Sequence, residues 1–185
     1  MTRIIAGAAK GRRLSVPADG TRPTSDRARE ALFNSLSTII DLPWARVLDL
    51  FAGTGAVGLE ALSRGAVSAV FIESDRAAGD ILRRNIEAVR LPGAQLVRRD
   101  VAAYLDSPEP DEPYDLVFAD PPYAYANEAL AAVLTAVAGP GWLAADGVLV
   151  VERSAGAEAP GWPDHIELVK HRRYGAGALW YGRPQ

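Results

Sequence analysis

Asp120-Pro121-Pro122-Tyr123 sets a carboxylate, two rigid prolines and an aromatic ring in consecutive positions, directly after the apolar run YDLVFA. The prolines fix φ and remove two backbone N–H donors, so carbonyls can face a pocket without competing donors. Asp120 and the Pro121 carbonyl can each accept a proton from one exocyclic NH2 group, turning its lone pair toward an electrophile, while Tyr123 offers a face for a planar base. An aryl amine held this way rehybridises as positive charge develops on nitrogen, so the chemistry asks for positioning rather than a strong base at Asp120. The bland alternative is a Pro-Pro turn with Tyr123 as a buried aromatic.

A second constellation lies upstream. Residues 49–58, DLFAGTGAVG, contain Gly53-x-Gly55-x-x-Gly58, the spacing of a strand-to-helix turn that binds a dinucleotide. Asp49 ends the strand inside that turn; a carboxylate there repels a pyrophosphate and attracts an ammonium. Glu73, at the end of the next apolar run, can accept from two ribose hydroxyls. Asp100, in RRDVAAY, is placed either to take an adenine amino proton or to cap the following helix. A sulfonium nucleoside bearing an amino acid satisfies all of these features, so the expected cofactor is S-adenosylmethionine, with S-adenosylhomocysteine as product.

The elements that must carry these residues alternate from Arg46 onward: RVLDLF then AVGLEALSRG, SAVFIE then DRAAGDILRRNIEAVRL, AQLVRR then VAAYLDS, YDLVFA then NEALAAVLTAVAG, and GVLVVER. The strands are continuous apolar runs, as expected when helices cover both faces of a parallel sheet. IELVKHRRY and ALWYGR, joined by a turn at Gly175-Ala176-Gly177, add an antiparallel pair. The fold class is therefore α/β, a Rossmann-like doubly wound seven-stranded sheet. Ahead of it, Ile4-Ile5-Ala6 and Leu14-Ser15-Val16 read as a small β-hairpin, and TSDRAREALFNSLSTII as a helix capped by Thr24 or Ser25 with Ala28, Leu32, Leu36 and Ile39 on one stripe. The expected organisation is an N-terminal basic arm over 1–43 and a Rossmann-like domain over 44–185.

Cysteine is absent, which removes disulfides, thiolate metal sites and cysteine nucleophiles together. His165 and His171 do not match a helical ligand spacing, so no metal is expected. No apolar run reaches the roughly 18 residues of a membrane span, and the N-terminus lacks a signal peptide, so a cytoplasmic protein without a membrane partner is expected. Net charge is −3, yet residues 1–29 hold Arg3, Lys10, Arg12, Arg13, Arg22, Arg27 and Arg29 against Asp19 and Asp26. Such a cluster points to phosphate contacts. Arg3, Lys10, Arg12 and Arg13 on the hairpin, with Arg22, Thr24 and Arg27, are expected to touch RNA. Thr24, Asp26 and Arg27 open the arm's helix, either as caps or as the border of the cofactor and base pocket.

VLDLFAGTGAVGLEALSRGA with FIESD, RRD and DPPY resembles the class I methyltransferases, and the added RIIAGAAKGRRL and RPTSDRAREALFN resemble the RsmD family of small-subunit ribosomal RNA guanine-N2 methyltransferases. That resemblance implies that Asp49, Phe51, Gly53 and Gly55 hold the methionine part of the cofactor, Glu73 the ribose, Asp100 with Val101 the adenine, and Asp120, Pro121, Pro122 and Tyr123 the guanine amino group. It implies action on 16S ribosomal RNA; because 185 residues leave little chain for a separate recognition domain, a prefolded 30S particle is the expected substrate, and a monomer is expected. Two rivals stand beside it: an adenine-N6 DNA or RNA methyltransferase, which shares Asp-Pro-Pro-Tyr, and a nucleotide-binding oxidoreductase or non-catalytic nucleoside-binding module built on the glycine loop.

Overall fold

The computed structural model describes residues 2–17 and 25–185. In chain order the elements are β1 (Thr2–Arg3), β2 (Arg13–Leu14), α1 (Asp26–Leu36), β3 (Arg46–Leu50), α2 (Ala56–Ser63), β4 (Ser68–Ile72), α3 (Arg76–Val89) and β5 (Ala94–Val97). They continue with α4 (Val101–Leu105), β6 (Tyr114–Ala119), α5 (Asn127–Ala138), β7 (Leu143–Ser154), β8 (Ile166–Tyr174) and β9 (Gly177–Pro184). The main sheet has seven strands in the order β5-β4-β3-β6-β7-β9-β8. Its first five are parallel and the last two antiparallel, the doubly wound arrangement expected from the alternating pattern. Strand order reverses between β3 and β6, and a ligand crevice belongs outside the carboxyl ends of the strands at such a switch point.

Pleat alternation sends successive side chains to opposite faces. Val47, Phe71, Phe118 and Val150 pack on one face with Leu32, Phe33, Leu59, Leu62 and Leu82 of α1, α2 and α3. Leu48, Leu50, Val117 and Val151 pack on the other with Val101, Leu105, Leu130 and Leu134 of α4 and α5. Both faces are covered, which is why the strands read as unbroken apolar runs. The strand expected from Gly147 begins at Leu143, because Leu143 already pairs with Tyr114 before a register shift leads into the main ladder. Among the described residues, no helix is long and apolar enough to cross a membrane.

The hairpin differs from expectation in position. Its ladder pairs Thr2 with Leu14 and Arg3 with Arg13, not 4–6 with 14–16. The reason is competition from side chains of the main fold. Ile5 and Ala6 donate their backbone N–H to the Glu60 carboxylate of α2 at 2.8 and 3.0 Å. Ser15 is held through its N–H and C=O by Asn85 of α3 at 2.7 and 3.0 Å. These groups are thus satisfied without a strand partner. Ile4, Ala9 and Leu14 enter the same core as α1 and α2.

Helix α1 is capped by Ser25, whose Oγ accepts from Ala28 N at 3.1 Å, and it ends at Leu36, so Ile39 falls in the turns beyond it. Its Arg29, one of the arm's seven cations by sequence, is fully buried. The guanidinium donates to Asp26 Oδ1 at 3.0 Å and to the Arg3 carbonyl, with Glu60 at 3.8 Å. It is an anchor of the arm rather than a surface charge.

Candidate active site

A cleft of about 1110 Å³ opens along the carboxyl ends of the parallel strands. The glycine loop forms one wall, and its three glycines serve different ends. Gly53 lines the cleft with φ +55, and a Cβ there would meet only the Phe51 carbonyl at 4.0 Å. A side chain has room at Gly53, but the left-handed backbone disfavours one. At Gly55, which is absent from the cleft lining, a Cβ would lie 2.1 Å from Leu82 Cδ1, so this glycine lets the loop press against α3. At Gly58 a Cβ would meet Phe71 Cε1 at 2.3 Å, which makes it a helix-to-sheet contact.

Asp49 is buried and its Oδ2 accepts from Gly58 N at 3.0 Å. Burial pushes its carboxyl up to about 8 against the pull of the Gly58 N–H, and the nearby charge of Glu73 adds to the rise. A buried carboxyl in this state gains from an arriving cation, which is what the ammonium of an amino-acid ligand supplies. Glu73 accepts from Gly53 N at 2.8 Å through Oε2 and from Asp75 N at 2.7 Å through Oε1. Each oxygen keeps a lone pair for a hydroxyl. Asp100 caps α4, accepting from Ala103 N at 3.1 Å, and it also lines the cleft beside Val101. The donor set and the open face of Gly53 fit a nucleoside that bears an amino acid.

Asp120, Pro121, Pro122 and Tyr123 line the same cleft, where β6 runs out beside β3. The Pro122 carbonyl accepts from Tyr125 N at 2.8 Å, closing the turn. Tyr125 then packs edge-on against Phe51, with ring centroids 5.0 Å apart. Phe51 has φ +57, a conformation that costs a bulky residue about 1–3 kcal/mol and survives only where neighbours hold it. That contact joins the cofactor loop to the Pro-Pro corner. Tyr123 is 80% exposed, which removes the buried-aromatic alternative and leaves its ring face available at the mouth of the cleft.

The basic residues divide. Arg3, Lys10 and Arg27 come together around a separate pocket of about 260 Å³, with Asp26 in its wall. Arg27 borders the main cleft as well. Arg12 is exposed yet donates Nη1 to the Val89 carbonyl at the end of α3, so part of its guanidinium is committed. Arg13 is exposed. Arg22 and Thr24 lie outside the described residues. Sequence reasoning missed Glu152, Arg153, Arg173 and Tyr174, which line the cleft from the side of β7 and the β8–β9 turn. The available signal was positional: Glu152 follows an apolar parallel strand, as Glu73 and Asp120 do.

Comparison with known proteins bears on this geometry. The family model described as conserved hypothetical protein 95 matches residues 2–183. Ribosomal RNA small subunit methyltransferase D of Escherichia coli K12 is 39% identical over 181 residues, covering 97% of this chain and 87% of the relative. The solved structure of an Escherichia coli putative methyltransferase, yhhF, is 36% identical with a TM-score of 0.87, covering 100% of this chain and 98% of that one. A Thermus thermophilus protein described as hypothetical is 36% identical with a TM-score of 0.81, covering 98% of each chain.

Proposed function

Because this chain belongs to the family of ribosomal RNA small subunit methyltransferase D, described as conserved hypothetical protein 95, we propose that it transfers a methyl group from S-adenosylmethionine to the exocyclic N2 of one guanine in 16S ribosomal RNA. It does so as a cytoplasmic monomer acting on an assembled or partly assembled 30S particle. The observation that carries this reading is a single cleft lined both by Asp49, Phe51, Gly53, Glu73, Asp100 and Val101 and by Asp120 to Tyr123, with an exposed aromatic ring at its mouth.

S-adenosylmethionine supplies a methyl group on a positively charged sulfur. Asp49 takes its ammonium, Phe51 and Gly53 flank the methionine part, Glu73 accepts from the ribose hydroxyls, and Asp100 with Val101 borders the adenine. Tyr123 stacks on a guanine turned out of its own stack, since an amine inside a helix cannot line up with the donor. Asp120 and the Pro121 carbonyl accept the two N–H groups of N2 and aim its lone pair along the cleft. Bound here, S-adenosylmethionine would give its methyl group to N2 and keep the C–S electron pair on sulfur, and Asp120 would take the surplus proton from nitrogen and pass it to water. Most of the acceleration comes from positioning.

Asp120→Ala tests the assignment. Methyl transfer to small-subunit RNA should fall by at least about 10²- to 10³-fold, the usual scale for losing one aligned polar group in a transition state. The calorimetric affinity for S-adenosylhomocysteine should stay unchanged. Equal loss of both would mean that Asp120 is structural. If the particle is the substrate, naked 16S RNA should be methylated more slowly than the 30S particle, and equal rates on the two would remove the particle from the proposal.

A further inference from the structure

We propose that Glu152 selects guanine among purines by accepting the N1–H of the bound base; this rests on the guanine-N2 reading above and names the residue that enforces it. Strands β6 and β7 are parallel, with Phe118 opposite Val150 and Ala119 opposite Val151. The next residues, Asp120 just past the end of β6 and Glu152 still within β7, therefore lie side by side, about 4.8 Å apart across one strand spacing. Alternation turns both away from the face that Ala119 and Val151 pack on, and both line the cleft.

The sheet order then decides what Glu152 can face. Asp49 lies on β3, Asp120 follows β6 and Glu152 lies on β7, so Glu152 is on the far side of Asp120 from the cofactor loop. A base whose amine is held at Asp120 and aimed toward β3 has its neighbouring ring atom over β7. In guanine the atom beside N2 on the Watson–Crick edge is N1, and it carries a proton. In 2-aminopurine the same position is a bare lone pair, which a carboxylate repels. Adenine also presents a bare N1 beside its amine, so the same carboxylate disfavours the adenine-N6 chemistry that Asp-Pro-Pro-Tyr alone would allow.

The Glu152 side chain has a defined seat. Its residue pairs with Leu179 of β9, and Oε1 lies where a Cβ on Gly177 would approach to 3.2 Å. The carboxylate thus rests on bare backbone at the β8–β9 turn, which gives that glycine a reason to lack a side chain. An ionised carboxylate offers about four acceptor sites, so other contacts made by Glu152 leave capacity for N1–H.

The experiment exchanges acceptor for donor on both sides. Once the methylated position has been mapped with the unaltered protein, small-subunit RNA is assembled with guanine or with 2-aminopurine at that position, both of which carry the 2-amine. The unaltered protein should prefer guanine in kcat/KM by roughly ten- to a hundred-fold, the range for one well-placed base contact. Glu152→Gln presents an amide N–H to the bare N1 and should collapse or invert that preference while leaving S-adenosylhomocysteine affinity and Tm unchanged. Glu152→Ala should lose activity on guanine and, with the repulsion of the bare N1 gone, bring the two bases close to equal. A Gln variant that slows both substrates in proportion, or neither, overturns the proposal. Absence of any transfer to guanine N2 by the unaltered protein would instead overturn the reading of the function on which it stands.

Discussion

Asp49 shows how one residue's surroundings can be read as a binding rule. Its carboxyl, pushed up to about 8 by burial, is mostly protonated at pH 7 in the ligand-free protein, whereas an ammonium ligand favours the ionised form. Binding therefore expels a proton, and affinity for S-adenosylhomocysteine should rise with pH by up to about tenfold per unit until about pH 8. Above that the dependence should level off, because the ligand's amine, which belongs to a free amino acid, keeps its charge well beyond the range of a peptide α-amino group. Calorimetry across pH 6 to 9 in buffers of different ionisation enthalpy checks the rise and the plateau, and Asp49→Asn should erase the rise. Stability has the opposite slope. The folded chain keeps a proton that the unfolded chain releases near pH 4, so the contribution of Asp49 is fully present below that pH and is lost as pH rises through about 8. Ligand-free melts of Asp49→Asn should be flatter over this window. At this scale the sequence was legible for carboxylates at strand ends and poorly so for glycines. The Gly-x-Gly-x-x-Gly spacing does not say which member faces ligand, because Gly55 and Gly58 answer to Leu82 and Phe71, residues far away in the chain.

Among the elements, α2 does two jobs at its two ends. Its N-terminus follows the glycine loop, and its last turns hold the hairpin: Glu60 takes the N–H groups of Ile5 and Ala6, Ser63 Oγ accepts from Ala9 N at 2.9 Å, and the Ser63 carbonyl accepts from Ala8 N at 2.7 Å. Gly7 makes this approach possible, since with φ +81 a Cβ would fall 1.7 Å from Ser63 O. Gly7→Ala should therefore dislodge the hairpin and weaken binding of small-subunit RNA in a filter assay, while the affinity for S-adenosylhomocysteine, set at the other end of α2, holds. Glu60→Gln should loosen the hairpin too, since an amide keeps one oxygen for the two N–H groups of Ile5 and Ala6, and should lower stability as well. It leaves the buried Arg29 short of a counter-charge at a cost of about 3–5 kcal/mol, and so lowers Tm by on the order of 10 °C. The sheet and its helices could be placed from sequence because a strand buried on both faces is an apolar run and because Asp75 and Asp100 sit where caps belong. The hairpin register could not. It is set by Glu60 and Asn85, which read in sequence as ordinary polar positions on helices, and the same blindness made Arg29 look like a surface charge.

For the whole molecule, a net charge of −3 would by itself oppose binding to an anionic polymer. The fold removes the difficulty by segregation. Six carboxylates, Asp49, Glu73, Asp75, Asp100, Asp120 and Glu152, line the cleft together with Arg153 and Arg173, while Arg3 and Lys10 gather outside it around their own pocket, with Arg27 shared between the two. Exposed Arg13 continues this surface, and Arg12 ties it to the end of α3 next to Arg90. An RNA strand that delivers a base to Tyr123 can thus lay its phosphates along the arm without passing over the acids of the cleft, meeting only Asp26 and Glu30 beside the arm's cations. If it does, the arm's cations are counterion-releasing contacts, and each one lost should reduce the slope of log affinity against log salt by about 0.7–0.9. The double variant Lys10→Glu, Arg13→Glu should show a slope shallower by roughly 1.5–2, with its largest affinity loss at low salt and no change in S-adenosylhomocysteine binding. Arg46→Gln is the matching control. That residue opens β3 at the end of the sheet opposite the cleft and pairs with Glu112 at 2.8 Å, so it should leave the slope where it was. Equal slopes for all three proteins would take the arm out of the RNA path, and the substrate would then have to reach the cleft from the side of Arg173 and the β8–β9 turn.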